Sequence, residues 1–176
     1  MLNNYNLGLI DQINKLDNKK IKLIYRKLLS NKKKVIVIGN GGSASIASHF
    51  STDYNKILKR QCLNFSDHSM LTCYSNDYGY ENWVKEAIKI HGKKGDILIS
   101  ISSSGKSLNI IKGIEEAKYR EISTISFTGF KKNNPVSKLS DISYWVESSN
   151  YNIIETIHLI CLLNIIEIYK SKILKS

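Results

Sequence analysis

Proline and cysteine are scarce in this 176-residue sequence, which has one proline, Pro135, and three cysteines, Cys62, Cys73 and Cys161. Three widely spaced cysteines form no CxxC pair, no zinc-finger spacing and no even set for a disulfide framework. They read as buried thiols, because a free cysteine behaves as a small hydrophobe. Arginine is scarce too. Arg26, Arg60 and Arg120 are the only arginines among 26 basic residues, although the formal net charge is +11. Such a charge invites a nucleic-acid partner, but arginine is the residue that reads bases and phosphates bidentately. The small lysine clusters around residues 32–34, 93–94 and 131–132 sit in expected turns. A solvated lysine face is therefore expected, and no nucleic-acid partner. No run of 18 uncharged apolar residues occurs, so no membrane span is expected. The most apolar tail, YNIIETIHLICLLNIIEIY, is interrupted by Glu155, His158 and Glu167. The first twenty residues lack a basic start followed by an apolar core, so no signal peptide is read and a cytoplasmic location is expected. Without repeats or a Pro/Gly linker, residues 1–176 read as one domain with a helical N-terminal extension of about 30 residues.

What is present alternates helix and strand. Residues 3–30 read as helices, with Leu7, Ile10, Ile13 and Leu16 spaced three apart. KKVIVIG and DILISIS are short, continuously apolar runs, the pattern of parallel strands buried on both faces. CLNF, STISFTG and ISYWVES supply three more strands. Residues 43–54, SMLTCYSN, YENWVKEAIKI, LNIIKGIEEAKY and residues 151–170 read as helices. This order predicts an α/β three-layer sandwich, a five-stranded parallel sheet flanked by helices and closed by a long C-terminal helix. Ligands in such folds bind at the carboxyl ends of strands.

Two loops at such ends are unusual. GNGGS, residues 39–43, follows the first strand, and SSSGKS, residues 102–107, follows the third. Glycines let the backbone turn through positive φ and let a ligand approach. A loop entering a helix N-terminus offers free N–H groups and the positive end of the helix dipole. Ser102, Ser103, Ser104 and Ser107 add neutral hydroxyl donors suited to phosphate oxygens, and Lys106 adds charge. Neither GxxxxGK[ST] nor GxGxxG is matched, so no nucleotide is expected. Either loop alone also reads as a Ser/Gly turn with an N-cap. Two of them, each after a buried strand, point to a phosphate ligand.

GNGGSASIASHF, SNDYG and SISSSGKS in this order resemble the sugar isomerase (SIS) domain and, within it, the phosphoheptose isomerase group, which acts on sedoheptulose 7-phosphate. The resemblance covers about residues 30–170. It implies a phosphosugar aldose–ketose isomerase supplying sugar precursors for surface polysaccharide (capsule or lipopolysaccharide). It also implies a homotetramer with active sites between subunits. Asn40, Gly41, Gly42 and Ser43 would line the sugar, Asn76 and Asp77 would meet its hydroxyls, and Ser102, Ser103, Ser104 and Ser107 would hold the phosphate. His49 matches a zinc-ligand histidine. Two further readings of the resemblance are a non-catalytic relative that binds the bacterial replication initiator and a phosphosugar sensor.

The sequence departs from the group where its chemistry lies. Asp53 stands where the group has a glutamate that serves as base and metal ligand. Glu155 replaces a glutamine, Leu163 a ligand histidine, and Asn152 an aspartate. Leucine binds no metal, so zinc held by His49, Asp53 and Glu155 would be weakened. Isomerisation through an enediol needs a base at carbon and an acid at oxygen. Asp53 and Glu155 are expected to divide these roles, with His49 as orienter or metal ligand. His158, on the same helical face as Glu155, reads either as a further titratable group or as a packed helix histidine.

Overall fold

The computed structural model describes residues 3–65 and 67–173. Its centre is a parallel sheet of five strands: β1 (Val35–Gly39), β2 (Cys62–Asn64), β3 (Ile97–Ser102), β4 (Ser123–Thr128) and β5 (Ile142–Trp145). Their order is β2-β1-β3-β4-β5, and every neighbouring pair is parallel. The apolar runs explain the burial of the central strands. Along a strand successive side chains point to opposite faces. Val35 and Val37 enter one core with Ile97, Ile99 and Ile101, whereas Ile36, Ile38 and Leu98 enter the other.

Helices cover both faces. The first core is closed by α1 (Asn4–Asn14), α2 (Asn18–Ser30), α3 (Gly42–Leu58) and α8 (Tyr151–Ile173). The second is closed by α4 (His68–Tyr78), α5 (Trp83–His91), α6 (Leu108–Tyr119) and α7 (Pro135–Leu139). The five-stranded sandwich expected from the alternating pattern is therefore the observed fold. Several details differ. α7 escapes a pattern-based reading because five residues show no period, although Pro135 at its first position and Asn134 as its cap mark it. α5 begins only at Trp83, since residues 79–82 form a turn closed by the Asn82 N–H donating to the Gly79 carbonyl at 2.9 Å. α3 runs to Leu58, four residues past the expected end. Cys62 and Cys161 are buried as expected, but Cys73 is exposed.

α8 is long and apolar enough, by length and composition, to cross a membrane. Here it is a core helix, with Ile154, Ile157, Cys161, Leu162, Ile165 and Ile166 buried in the first core. α1 is different. Leu7, Ile10 and Ile13 are 54%, 46% and 40% exposed, so three members of the stripe read in the sequence face outward, while Leu16 packs against the first core.

Candidate active site

A sheet ordered 2-1-3-4-5 reverses its winding between β1 and β3, and the loops leaving those two strands part to form a crevice. The β1–β3 ladder ends at the Gly39–Ile101 pair. The loops beyond it are the two that stand out in the sequence. Both lead into helices whose N-cap residues, Gly41 for α3 and Ser107 for α6, make no side-chain capping bond. Elsewhere Asn3, Asp17, Asp67 and Asn134 cap α1, α2, α4 and α7, and Asn150 Oδ1 accepts from the Asn152 and Ile153 N–H groups at the start of α8; α5 alone among these other helices lacks a side-chain cap, at Asn82. The helix starts at the crevice thus keep their N–H groups and positive dipole ends available to an anion.

Gly41 turns the first loop with φ +54°, a conformation that side-chain-bearing residues rarely adopt. Gly42 has a different reason. A Cβ there would stand 2.2 Å from Glu155 Oε2. The Glu155 carboxylate, carried on the second turn of α8, therefore lies directly against the first turn of α3. The second loop reaches the same carboxylate, because the Ser103 hydroxyl donates to Glu155 Oε1 at 3.5 Å. Ser102 and Ser103 are buried, while Ser104 and Ser107 are half-buried. The Ser102 hydroxyl donates to the Ser107 oxygen at 3.4 Å, and the Lys106 N–H donates to Ser104 Oγ at 3.3 Å. Ser43 is buried, behind the loop surface. The structure thus gathers Gly41, Gly42, the four serines and Glu155 around one crevice.

Asn40 is tied across the crevice by a residue not singled out in the sequence. Its side-chain amide exchanges two hydrogen bonds, 3.0 and 2.8 Å, with that of Asn109 on the first turn of α6. An asparagine inside an apolar helical pattern carries no signal of such a bond.

His49 and Asp53 form an i,i+4 pair, Nε2 to Oδ2 at 3.4 Å, with side chains 51% and 28% exposed. They follow Gly42 by seven and eleven residues on α3, which at the helical rise puts their backbones ~10 and ~16 Å from it. Within one chain the Asp53 carboxylate is therefore well removed from Glu155. Among the described residues no three His, Cys, Asp or Glu side chains come close enough to hold a metal ion. With Leu163 contributing no donor, the residues of one chain do not fit a zinc site. His158 is a packed core histidine. It is fully buried, edge-on to Phe127, and its Nε2–H donates to the Thr128 carbonyl at 3.2 Å. Burial holds its pKa down at about 4, so the ring is neutral near pH 7.

Asn76 and Asp77 sit exposed at the end of α4, where the Asn76 amide donates to Asp77 Oδ1 at 2.9 Å. Asp77 also raises the pKa of the Cys73 thiol by its charge. Neither lines the cleft of about 420 Å³ on the α4 side of the first loop, whose walls include Asn40, Gly41, His68, Leu71, Tyr80 and Trp83.

This geometry has close counterparts. The SIS domain profile matches residues 8–129. A phosphoheptose isomerase of Thermodesulfovibrio yellowstonii is 37% identical over 148 residues, covering 80% of this chain and 73% of that protein. The solved phosphoheptose isomerase of Francisella tularensis superposes with a TM-score of 0.83 at 28% identity, over 95% of this chain and 92% of that one. The fold also matches that of phosphoheptose isomerase GmhA from Neisseria gonorrhoeae, with a TM-score of 0.87, 24% identity and coverage of 94% and 92%. Family profile, sequence relatives and fold agree, and the chain belongs to the SIS-domain family as a member of its phosphoheptose isomerase group.

Proposed function

We propose that this aldose–ketose isomerase acts on a heptulose 7-phosphate, with sedoheptulose 7-phosphate as substrate and the corresponding aldoheptose 7-phosphate as product. The observation that carries the reading is the Glu155 carboxylate seated against Gly42 and Ser103. It puts a base beside a phosphate-type cradle. The phosphate lies on the hydroxyls of Ser102, Ser104 and Ser107 and on the open start of α6, while Ser103 gives its one hydroxyl proton to Glu155. The C1–C2 end then faces Asn40, Gly41 and Gly42, while Ser43, buried behind the loop, and Asn76 and Asp77, exposed on α4, are given no contact with it within one chain. Glu155 removes a proton from C1, and the C2 carbonyl oxygen takes up a proton to give the enediol. Loss of the C1 hydroxyl proton and return of a proton to C2 leave the aldose. A carboxylate so placed is worth about 10²–10⁴-fold in rate.

His49 and Asp53 supply the second acid–base pair. Their distance from Gly42 within one chain means that they serve the crevice of another copy in a homotetramer. The exposed α1 stripe of Leu7, Ile10 and Ile13 is the surface such an assembly would bury. We read the chain as one cytoplasmic SIS unit providing precursors of surface sugars, and no step is assigned to zinc. The test is to mix Glu155→Gln and Asp53→Asn proteins, each inactive alone, under conditions that exchange subunits. Recovery of aldoheptose phosphate production supports action from separate chains. Full activity of either single variant removes that residue from the mechanism.

A further inference from the structure

Among the described residues, the Asn40–Asn109 pair ties the first loop to the first turn of α6, the helix into which the second loop runs. It lies one step past the last rung of the β1–β3 ladder, at Gly39–Ile101, where the backbones separate. Asn109 is only 2% exposed. Each amide spends one donor and one acceptor on the other, so each keeps one N–H and one lone pair. For Asn40 these remaining groups belong to the loop that faces the sugar.

We propose that Asn109 is a positioning residue for the isomerisation. It fixes the Asn40 amide and the spacing between the two loops, so that one substrate is held at its phosphate and its reacting carbons together. The inference rests on the substrate reading above and adds a residue that touches no substrate atom. Helix α6 is already anchored by Ile110 and Ile114, buried in the second core, so the fold does not need the amide pair to hold α6 on the sheet. What the pair adds is registry between the loops. A catalytic constellation displaced by about 1 Å loses about 10²-fold in rate.

The experiment compares wild type with Asn109→Ala and with Asn109→Leu. The leucine keeps the size of the side chain but carries neither the donor nor the acceptor that Asn40 uses. Affinity for inorganic phosphate, which needs the second loop and the α6 backbone but not Asn40, is measured by calorimetry beside affinity and turnover for sedoheptulose 7-phosphate. The expected result is phosphate affinity within about twofold of wild type, with sugar-phosphate kcat down by about 10²-fold. Equal losses for both ligands, or unchanged kcat, would overturn the proposal. A measurement on the wild type alone guards against variants that fail to fold. By NMR, the side-chain amide protons of Asn40 and Asn109 should be protected from solvent exchange, and rapid exchange would overturn the pairing. A wild-type protein that binds sedoheptulose 7-phosphate without converting it would refute the substrate reading. In that case the ratio of the two affinities in the Asn109 variants still decides this inference, a selective loss for the sugar phosphate supporting it and an equal loss refuting it.

Discussion

The crevice beyond β1 and β3 and the layer beneath α8 share that helix, through Glu155 and His158, yet are built by opposite rules. In the crevice, helix starts lack side-chain caps, and Glu155 approaches a glycine that leaves it room. One turn further along α8, His158 is sealed among apolar groups and kept neutral. Polar groups held open in this way are available to a ligand, whereas the packed layer supplies the rigidity that holds them in place. Substitutions in the two regions should therefore have separable effects, on activity in the crevice and on stability in the layer.

The largest expected effect is in the layer. Ile165 is 1% exposed in the first core, and Ile165→Ala should cost about 2–5 kcal/mol of stability in urea unfolding. The turnover per folded molecule should stay unchanged, and a loss of turnover would blur the division between the regions. Next comes Glu155→Gln, which should lower kcat by at least about 10²-fold with an unfolding midpoint close to that of wild type.

His158 sharpens the contrast through pH. Its folded pKa of about 4 lies below the ordinary histidine value of 6.5, so between these values the unfolded chain binds a proton that the folded chain refuses. Stability should fall as pH drops through that window, by up to about 1.4 kcal/mol per pH unit from this group, and this contribution should be flat above pH 7. Urea midpoints at pH 7.5 and 5 should show the loss in wild type and a smaller one in His158→Gln. The smallest effect belongs to Ser104→Ala. Removing one hydroxyl from the second loop should weaken sugar-phosphate binding by about 1 kcal/mol in calorimetry.

The sequence is most legible where the physics is local. VIVIG and ILISIS read as strands buried on both faces because nothing polar of any size interrupts them. LNIIKGIEEAKY reads as a helix with the boundaries the structure gives α6. The two loops stand out because glycine and serine runs after a buried strand have few other uses. Long-range contacts are not legible. That Glu155 meets Gly42, and Asn109 meets Asn40, depends on how α8 and α6 lie on the sheet. Equally, the shared face of His49 and Asp53 is visible from i,i+4 spacing, yet their distance from Glu155 follows only once Gly42 is known to be where α8 makes its contact. His158 could be read two ways until its burial beside Phe127 decided for packing.

The central claim is that Glu155 in this crevice moves a proton between adjacent carbons of a sugar phosphate. The most direct measurement is NMR of sedoheptulose 7-phosphate incubated in D2O with wild type and with Glu155→Gln. The account predicts deuterium at C1 of the ketose and C2 of the aldose with wild type, at a rate about 10²-fold or more above that of the variant. Equal exchange by both proteins, or none by the wild type, would contradict it.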